Sequence, residues 1–388
     1  MLSFFKIERN AALLLLIAAV LGLSLANSPW ASGFNVLRET SLTIPFANLQ
    51  LSLSEWLGEG LMTGFFLLIG LELKREATSG ALTKPSAILI PGFAALIGAI
   101  VPALVFVCLV TGDAASGWPI PMATDVTFAL AVFAVFGKHM PRSSRAFLLS
   151  FAVIDDLIAI LVIAIFLTAQ LNIGSLLLAA ASLAAFAVIL RSGGAWVRPI
   201  SVIAGILAWY FTLESGVSPL VTGVILGLLV PAVRIEKVET ALHPWVSLAV
   251  LPLFALFAAG VSLGGGVGGA IGEGSAGLTE AAPFVIGSAL SIAILLRPVG
   301  KILGITAGAL LGRALARGES FTGMRTSDYL RISVLGGIGF TVALLVANSV
   351  YGASTNLATT AIVATLIAMV ISMVVGAWAL SSRKSPAL

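Results

Sequence analysis

The sequence predicts an all-α polytopic membrane protein. About twelve transmembrane helices are expected, with inverted three-helix repeats, two interrupted helices and a short extracytoplasmic β-hairpin, in a single domain over residues 1–388. Three observations carry the membrane class and the span count. The chain is 59% hydrophobic and only 10% charged, against about 25% charged for an ordinary soluble domain. Its apolar residues fall in long runs, many close to the ~20 residues a helix needs to cross a bilayer. Its Lys and Arg gather in every second connection between those runs, the pattern that sets membrane orientation. The net charge of +4 reflects that one-sided excess and does not point to nucleic acid.

Taken in order, the apolar runs cover about residues 11–27, 55–76, 86–110, 119–137, 144–169, 173–190, 197–213, 216–231, 242–262, 282–312, 328–350 and 355–380. Lys6 and Arg9 precede the first run as in a signal peptide, but with so many spans to follow it reads as the first helix, entering from the cytoplasm. Basic residues follow the even-numbered spans: Lys74, Arg75 and Lys84, then Lys138, Arg142 and Arg145. Arg191 and Arg198, Arg234 and Lys237, Arg313, Arg317 and Arg325, and finally Arg383 and Lys384 continue the series. The alternate connections hold Arg38, Asp113, Glu214, Glu273 and Glu280. Both termini are therefore expected in the cytoplasm. Residues 40–54, TSLTIPFANLQLSLS, alternate with period two on either side of Ala47-Asn48, which reads as a hairpin on the outer face. An isolated hairpin is marginal, so it is expected to pair with a second copy and build a homodimer. The glycine-rich stretch beyond Leu263 reads as a solvent loop, with no GxxxxGK[ST] cradle in the chain. No cofactor is implied. The single cysteine, Cys108, lies in an apolar run and reads as packing.

Charges inside the spans are the informative residues. Asp155 and Asp156 interrupt the apolar run 146–169; Asp156 lies eleven residues beyond Arg145, roughly 16 Å along a helix and near the centre of a ~30 Å hydrocarbon slab. Two carboxylates at that depth are costly and mark a cation site, a proton relay or both. Asp125 follows Thr124 in WPIPMATDVTFAL, where Pro119 and Pro121 favour an interrupted helix whose freed carbonyls help hold an ion. Leu335-Gly-Gly-Ile-Gly-Phe-Thr341 is a second candidate break, with glycine-mediated helix packing as the alternative. The two breaks fall in corresponding places of three-span units, about 86–169 and 282–380, which points to an inverted repeat. Arg297 sits near the midplane and needs an anion; the Asp155/Asp156 pair is the expected partner, with Lys301 one turn further on the same face. At the cytoplasmic mouth Glu72, Arg75 and Glu76 share a helix face, and Glu236, Glu239 and His243 cluster in IEKVETALHPW. Such groups concentrate cations and gate access by titration, or are an ordinary solvated helix end.

FFLLIGLELKRE (65–76), ATDVTFALAV (123–132), FAVIDDLIAIL (151–161), HPWV (243–246) and GGIGFT (336–341) together resemble the bacterial NhaA-type Na⁺/H⁺ antiporters, over essentially the whole chain. The resemblance implies an electrogenic antiporter, not an enzyme, that exchanges cytoplasmic Na⁺ or Li⁺ for more than one external H⁺. It implies a twelve-span fold in which the two interrupted helices cross, in a lipid-embedded, multi-pass protein of the bacterial inner membrane. Asp155 and Asp156 would be the Na⁺ and proton site, with Asp125 and Thr124 beside it. Glu72, Arg75, Glu76, Glu239 and His243 would serve pH regulation. Arg297 is read at the place where the best-known members carry a lysine, as electrostatic partner of Asp155. Ser218 and Thr240 stand where those members carry His. The alternative with a related fold is a sodium-coupled solute symporter, which wants more intramembrane Asn, Gln and Tyr than this chain offers. An aspartyl protease lacks its GxGD context, and a passive cation channel would show no proton coupling.

Overall fold

The computed structural model describes residues 2–44, 49–80, 85–166, 168, 171–192, 196–263, 287–316, 321, 323–352 and 355–383. The hairpin connection at Ala47-Asn48, the glycine-rich run from Gly264, and Lys84, Glu273, Glu280, Arg317 and Lys384 lie outside the described residues. Among those described, six helices are long and apolar enough to cross a bilayer, and up to ten if four bent pairs each count as one span. Two shorter apolar helices, Pro199–Glu214 and Leu220–Leu229, accompany them.

α1 (Leu2–Ala26) turns by 112° into α2 (Ala31–Glu39), whose Arg38 is buried and donates to the Gly260 carbonyl. The one basic residue expected on the outer side is thus tied to the fold. β1 (Ser41–Ile44) and β2 (Leu49–Ser52) form the antiparallel hairpin, with Ser41 opposite Ser52 and Ile44 opposite Leu49. α3 (Leu53–Glu55) opens on a capping box between Ser52 and Glu55, passes through a π turn at Trp56–Leu61, and continues as α4 (Met62–Ser79).

Helix pairs meet backbone to backbone at glycines, Gly22 of α1 against the Leu256 carbonyl among them. α5 (Pro85–Leu109) packs along α14 (Arg297–Leu315) on Gly300, Gly304, Gly308 and Gly312, spaced one turn apart. A Cβ at Gly304 would lie 2.5 Å from the Ile97 carbonyl oxygen, and one at Gly312 2.5 Å from that of Leu89. Without a hydrophobic driving force between helices in lipid, such small-residue stripes let backbones close to contact. α4 meets α10 (Leu220–Leu229) the same way through Gly70, Gly223 and Gly227.

Both expected interruptions are present. The 3-10 turns at Gly112–Met122 give way to α6 (Val126–Phe136) with a 45° change of direction, and α15 (Thr326–Gly336) gives way to α16 (Thr341–Tyr351) with a 46° change. The tenth apolar run is a correction. It bends by 42° at Leu296, between α13 (Ala289–Leu295) and α14, because Pro298 in the first turn of α14 has no N–H to continue the ladder. α7 (Arg142–Phe166) runs past both breaks, and α17 (Asn356–Ser381) closes the bundle. α8 (Ile173–Arg191) and α9 (Val197–Glu214) pair at its side, and α11 (Ile235–Trp245) continues through a π turn at Val246–Val250 into α12 (Leu251–Ala258).

Candidate site at the crossing of two broken helices

The two breaks satisfy each other's backbone. The Asp125 N–H donates to the Ile338 carbonyl at 2.7 Å, and the Thr124 hydroxyl donates to that of Gly336 at 2.8 Å. Asp125 Oδ1 accepts from the N–H groups of Thr127 and Phe128 at 3.1 and 3.3 Å, capping α6. Its Oδ2 accepts from the N–H and hydroxyl of Thr341 at 3.1 and 2.9 Å, at the start of α16. Irregular backbone at membrane depth is stable only when paired in this manner. Gly339 lets the strands approach: a Cβ there would lie 2.5 Å from the Ala123 carbonyl oxygen. The glycines around residue 337 therefore serve both the break and its packing.

α7 brings Asp155 and Asp156 against this crossing, both about 98–99% buried. Lys301 Nζ lies 2.8 Å from each oxygen of Asp155, also fully buried, and 5.9 Å from the centre of the Phe151 ring. The hydroxyl and N–H of Thr124 also face Asp155. Asp156 is placed differently: its Oδ1 is buried and makes no hydrogen bond. The charges of Asp155, Asp125 and Glu72 all bear on it.

The expected Arg297–Asp155 pair is not formed. Arg297 is the first residue of α14; its Nη2 donates to the Gly339 carbonyl at 3.1 Å and the carboxylate it faces is Asp125. The cation on Asp155 is Lys301. Side chains at i and i+4 share a helix face but differ in depth by a turn, and that turn separates the crossing from α7. The cation paired with Asp155 in this structure is thus Lys301, not Arg297. Three buried carboxylates and two buried cations share this volume, leaving one formal negative charge.

The residues assigned to the mouth also come together. Arg75 Nη1 on α4 lies 2.6 Å from Glu239 Oε1 on α11. Glu76 and Glu236 bear on Glu239, and Arg75 on His243. Glu72 lies one turn earlier on α4, and its charge bears on Asp156. At this crossing and its surroundings, Thr341 and Asp328 escaped sequence reasoning. Thr341 lay inside GGIGFT but carried no charge to mark it. Asp328, fully buried and held by Arg383 Nε at 3.0 Å, looked like an ordinary helix start.

With this geometry in hand, the chain was compared with known proteins. A family model described as Na⁺/H⁺ antiporter 1 matches residues 2–380. The Na(+)/H(+) antiporter NhaA 2 of Clavibacter michiganensis subsp. michiganensis is 39% identical over 99% of this chain and 92% of its own length. The Na(+)/H(+) antiporter NhaA of Pseudomonas putida is 40% identical over 88% of this chain and 87% of its own. Among solved structures, the sodium proton antiporter MjNhaP1 of Methanocaldococcus jannaschii shares the fold with a TM-score of 0.56 at 15% identity, over 98% of this chain and 96% of that one. By the family match and these identities, the chain belongs to the Na⁺/H⁺ antiporter 1 family.

Proposed function

We propose that the protein is an electrogenic antiporter that expels Na⁺ or Li⁺ from the cytoplasm in exchange for more than one external proton, by alternating access at Asp155 and Asp156. One observation carries this reading: Asp156 Oδ1 is buried without a hydrogen-bond partner beside an Asp155 whose two oxygens are already held by Lys301. An uncompensated carboxylate is not sustained in a dry interior, so Asp156 holds either a proton or a metal cation. Competition for one group couples the two ions through one site.

The second proton has a source in the same geometry. A cation binding both aspartates displaces Lys301 Nζ from Asp155. An ammonium stripped of its counter-charge at this depth sheds a proton, which a guanidinium does not do. Lys301 is thereby a proton carrier beside the two carboxylates. The Thr124 oxygen is an available ligand, whereas both Asp125 oxygens are engaged in capping, so Asp125 contributes field and architecture.

The finer architecture is part of the proposal. Twelve spans with both termini in the cytoplasm are supported by the bent pairs, the two short apolar helices and the basic alternation. The inverted repeats are supported by the two breaks of nearly equal angle. The Arg75–Glu239 link between α4 and α11 supports a pH-regulated mouth, and the open edges of the hairpin support a dimer.

The decisive test uses everted vesicles with a pH-sensitive dye and a potential-sensitive dye. Asp156→Asn is expected to abolish Na⁺-driven proton movement and Na⁺-induced proton release from the purified protein. Full exchange in that variant would remove the reading.

A further inference from the structure

A cavity of about 550 Å³ opens away from the Asp155/Asp156 site. Its walls come from the start of the second span (Glu55 and Glu59), the end of α7 (Ile163), the turn before α10 (Ser218) and the end of α16 (Leu345 and Asn348). By the basic alternation, every one of these lies at the outer ends of its helix. Ile163 stands seven residues beyond Asp156 on α7 and Asn348 seven beyond Thr341 on α16, so the cavity floor is about 10 Å from the crossing. Ile163 and Leu345, each 97% buried, close that floor with hydrocarbon.

Three buried oxygens among the lining residues have no hydrogen-bond partner: Glu59 Oε2, Ser218 Oγ and Asn348 Oδ1. Ser218 faces the Glu59 carboxyl without making a hydrogen bond of good geometry, and Glu55 adds a second negative charge nearby. Unpaired buried polar atoms are rare because each forfeits its hydration; three on the wall of one cavity are placed to share water or a cation. The chain builds the arrangement deliberately. Glu59 lies within the π turn Trp56–Leu61, and its freed carbonyl is braced by Trp209 Nε1 at 2.8 Å and the Thr63 hydroxyl at 2.7 Å. Trp209 in turn stacks on Trp56, with ring centres 5.6 Å apart. Such turns insert a residue, re-aim the neighbouring side chains and recur at functional sites.

We propose that Glu59, Ser218 and Asn348 form a second alkali-cation site, an outer station that holds Na⁺ or Li⁺ between the central aspartates and the external solution. A carboxylate, a hydroxyl and an amide carbonyl are hard oxygen donors suited to small hard cations and unsuited to thiophilic metals. The apolar floor keeps the station separate from the central pair until the protein changes conformation.

The inference rests on the antiport reading, and the two fail separately. In proteoliposomes of the full-length protein sorted by orientation, Glu59→Gln is expected to raise the half-saturating outer Na⁺ by roughly tenfold while moving the inner value less than about twofold. An equal change on both faces, or none, overturns the outer station. Wild-type vesicles with no Na⁺-coupled proton movement overturn the antiport reading instead. A second measurement guards against misfolding of the Glu59 variant. In protein carrying Cys108→Ser, Asp156→Asn and Ser349→Cys, the last a cavity-lining position that is not one of the three ligands, Li⁺ is expected to slow thiol modification by a charged methanethiosulfonate about threefold or more, and K⁺ to leave it unchanged. Modification indifferent to Li⁺ overturns the proposal.

Discussion

A lysine that grips both oxygens of one aspartate divides the labour between two adjacent carboxylates. Asp155 is neutralised by Lys301 and Asp156 is left to the transported ions. Removing one member of a buried pair leaves an uncompensated charge and costs about 3–5 kcal/mol. Lys301→Gln is therefore expected to lower the melting temperature markedly in detergent. If Na⁺ still binds, the variant should carry less net charge per cycle, read by the potential dye; unchanged electrogenic exchange would return both protons to the carboxylates. The mouth behaves otherwise. The Arg75 side chain is 43% exposed in its bridge to Glu239, and such half-solvated pairs contribute up to about 1 kcal/mol. Glu239→Gln should leave stability nearly untouched and the maximal rate within about twofold, yet move the pH at which exchange switches on. An unmoved pH profile would demote the bridge to an ordinary helix contact. Asp155, Asp156 and Asp125 were legible in the sequence because a carboxylate in an apolar run has few other reasons to be there. The choice between Arg297 and Lys301 was not legible, because residues one turn apart share a face and only the three-dimensional depth of α14 decides which one meets α7.

Glycine sets that depth. Gly300, Gly304, Gly308 and Gly312 seat α14 directly on the backbone of α5, which fixes how far Lys301 is carried toward α7. A Cβ at Gly308 would run into the Phe93 carbonyl, and forcing apart a close-packed contact costs typically about 1–3 kcal/mol. Gly308→Val is expected to lose at least that much stability and to impair exchange together with it. Gly33 is the control: it lies in α2 with nothing near the place of a Cβ, so Gly33→Ala should be neutral or slightly stabilising. Equal tolerance at both positions in a thermal-melt assay would contradict this account of the helix pair. The breaks at Asp125 and Gly337 were readable from prolines and clustered glycines. The π turn at Trp56–Leu61 was not, since its signal is only a local surplus of one residue, and with it Glu59 went unnoticed.

At the scale of the whole molecule, the hairpin sits at the rim of the bundle, with Leu49 buried and Leu51 lining the cavity. Among the described residues β1 and β2 pair with each other alone, and Leu42 is 47% exposed. A two-stranded sheet with unpaired edges invites another strand. Replacing residues 41–52 by a flexible Gly/Ser segment is expected to convert a dimer into monomers in light scattering while exchange persists; monomers in the unaltered protein would dismiss the hairpin as a dimer contact. The hairpin was readable from its period-two alternation, whereas the cavity is formed by residues scattered from Leu51 to Gly352 and has no linear trace. One aspartate ties the largest distances together. Because the two oxygens of Asp125 terminate α6 and α16 at once, these helices share a single rivet. Neither can tilt or slide without dragging the other, so a disturbance arriving from one side of the membrane reaches the opposite half-helix as a displacement rather than as a diffusing signal.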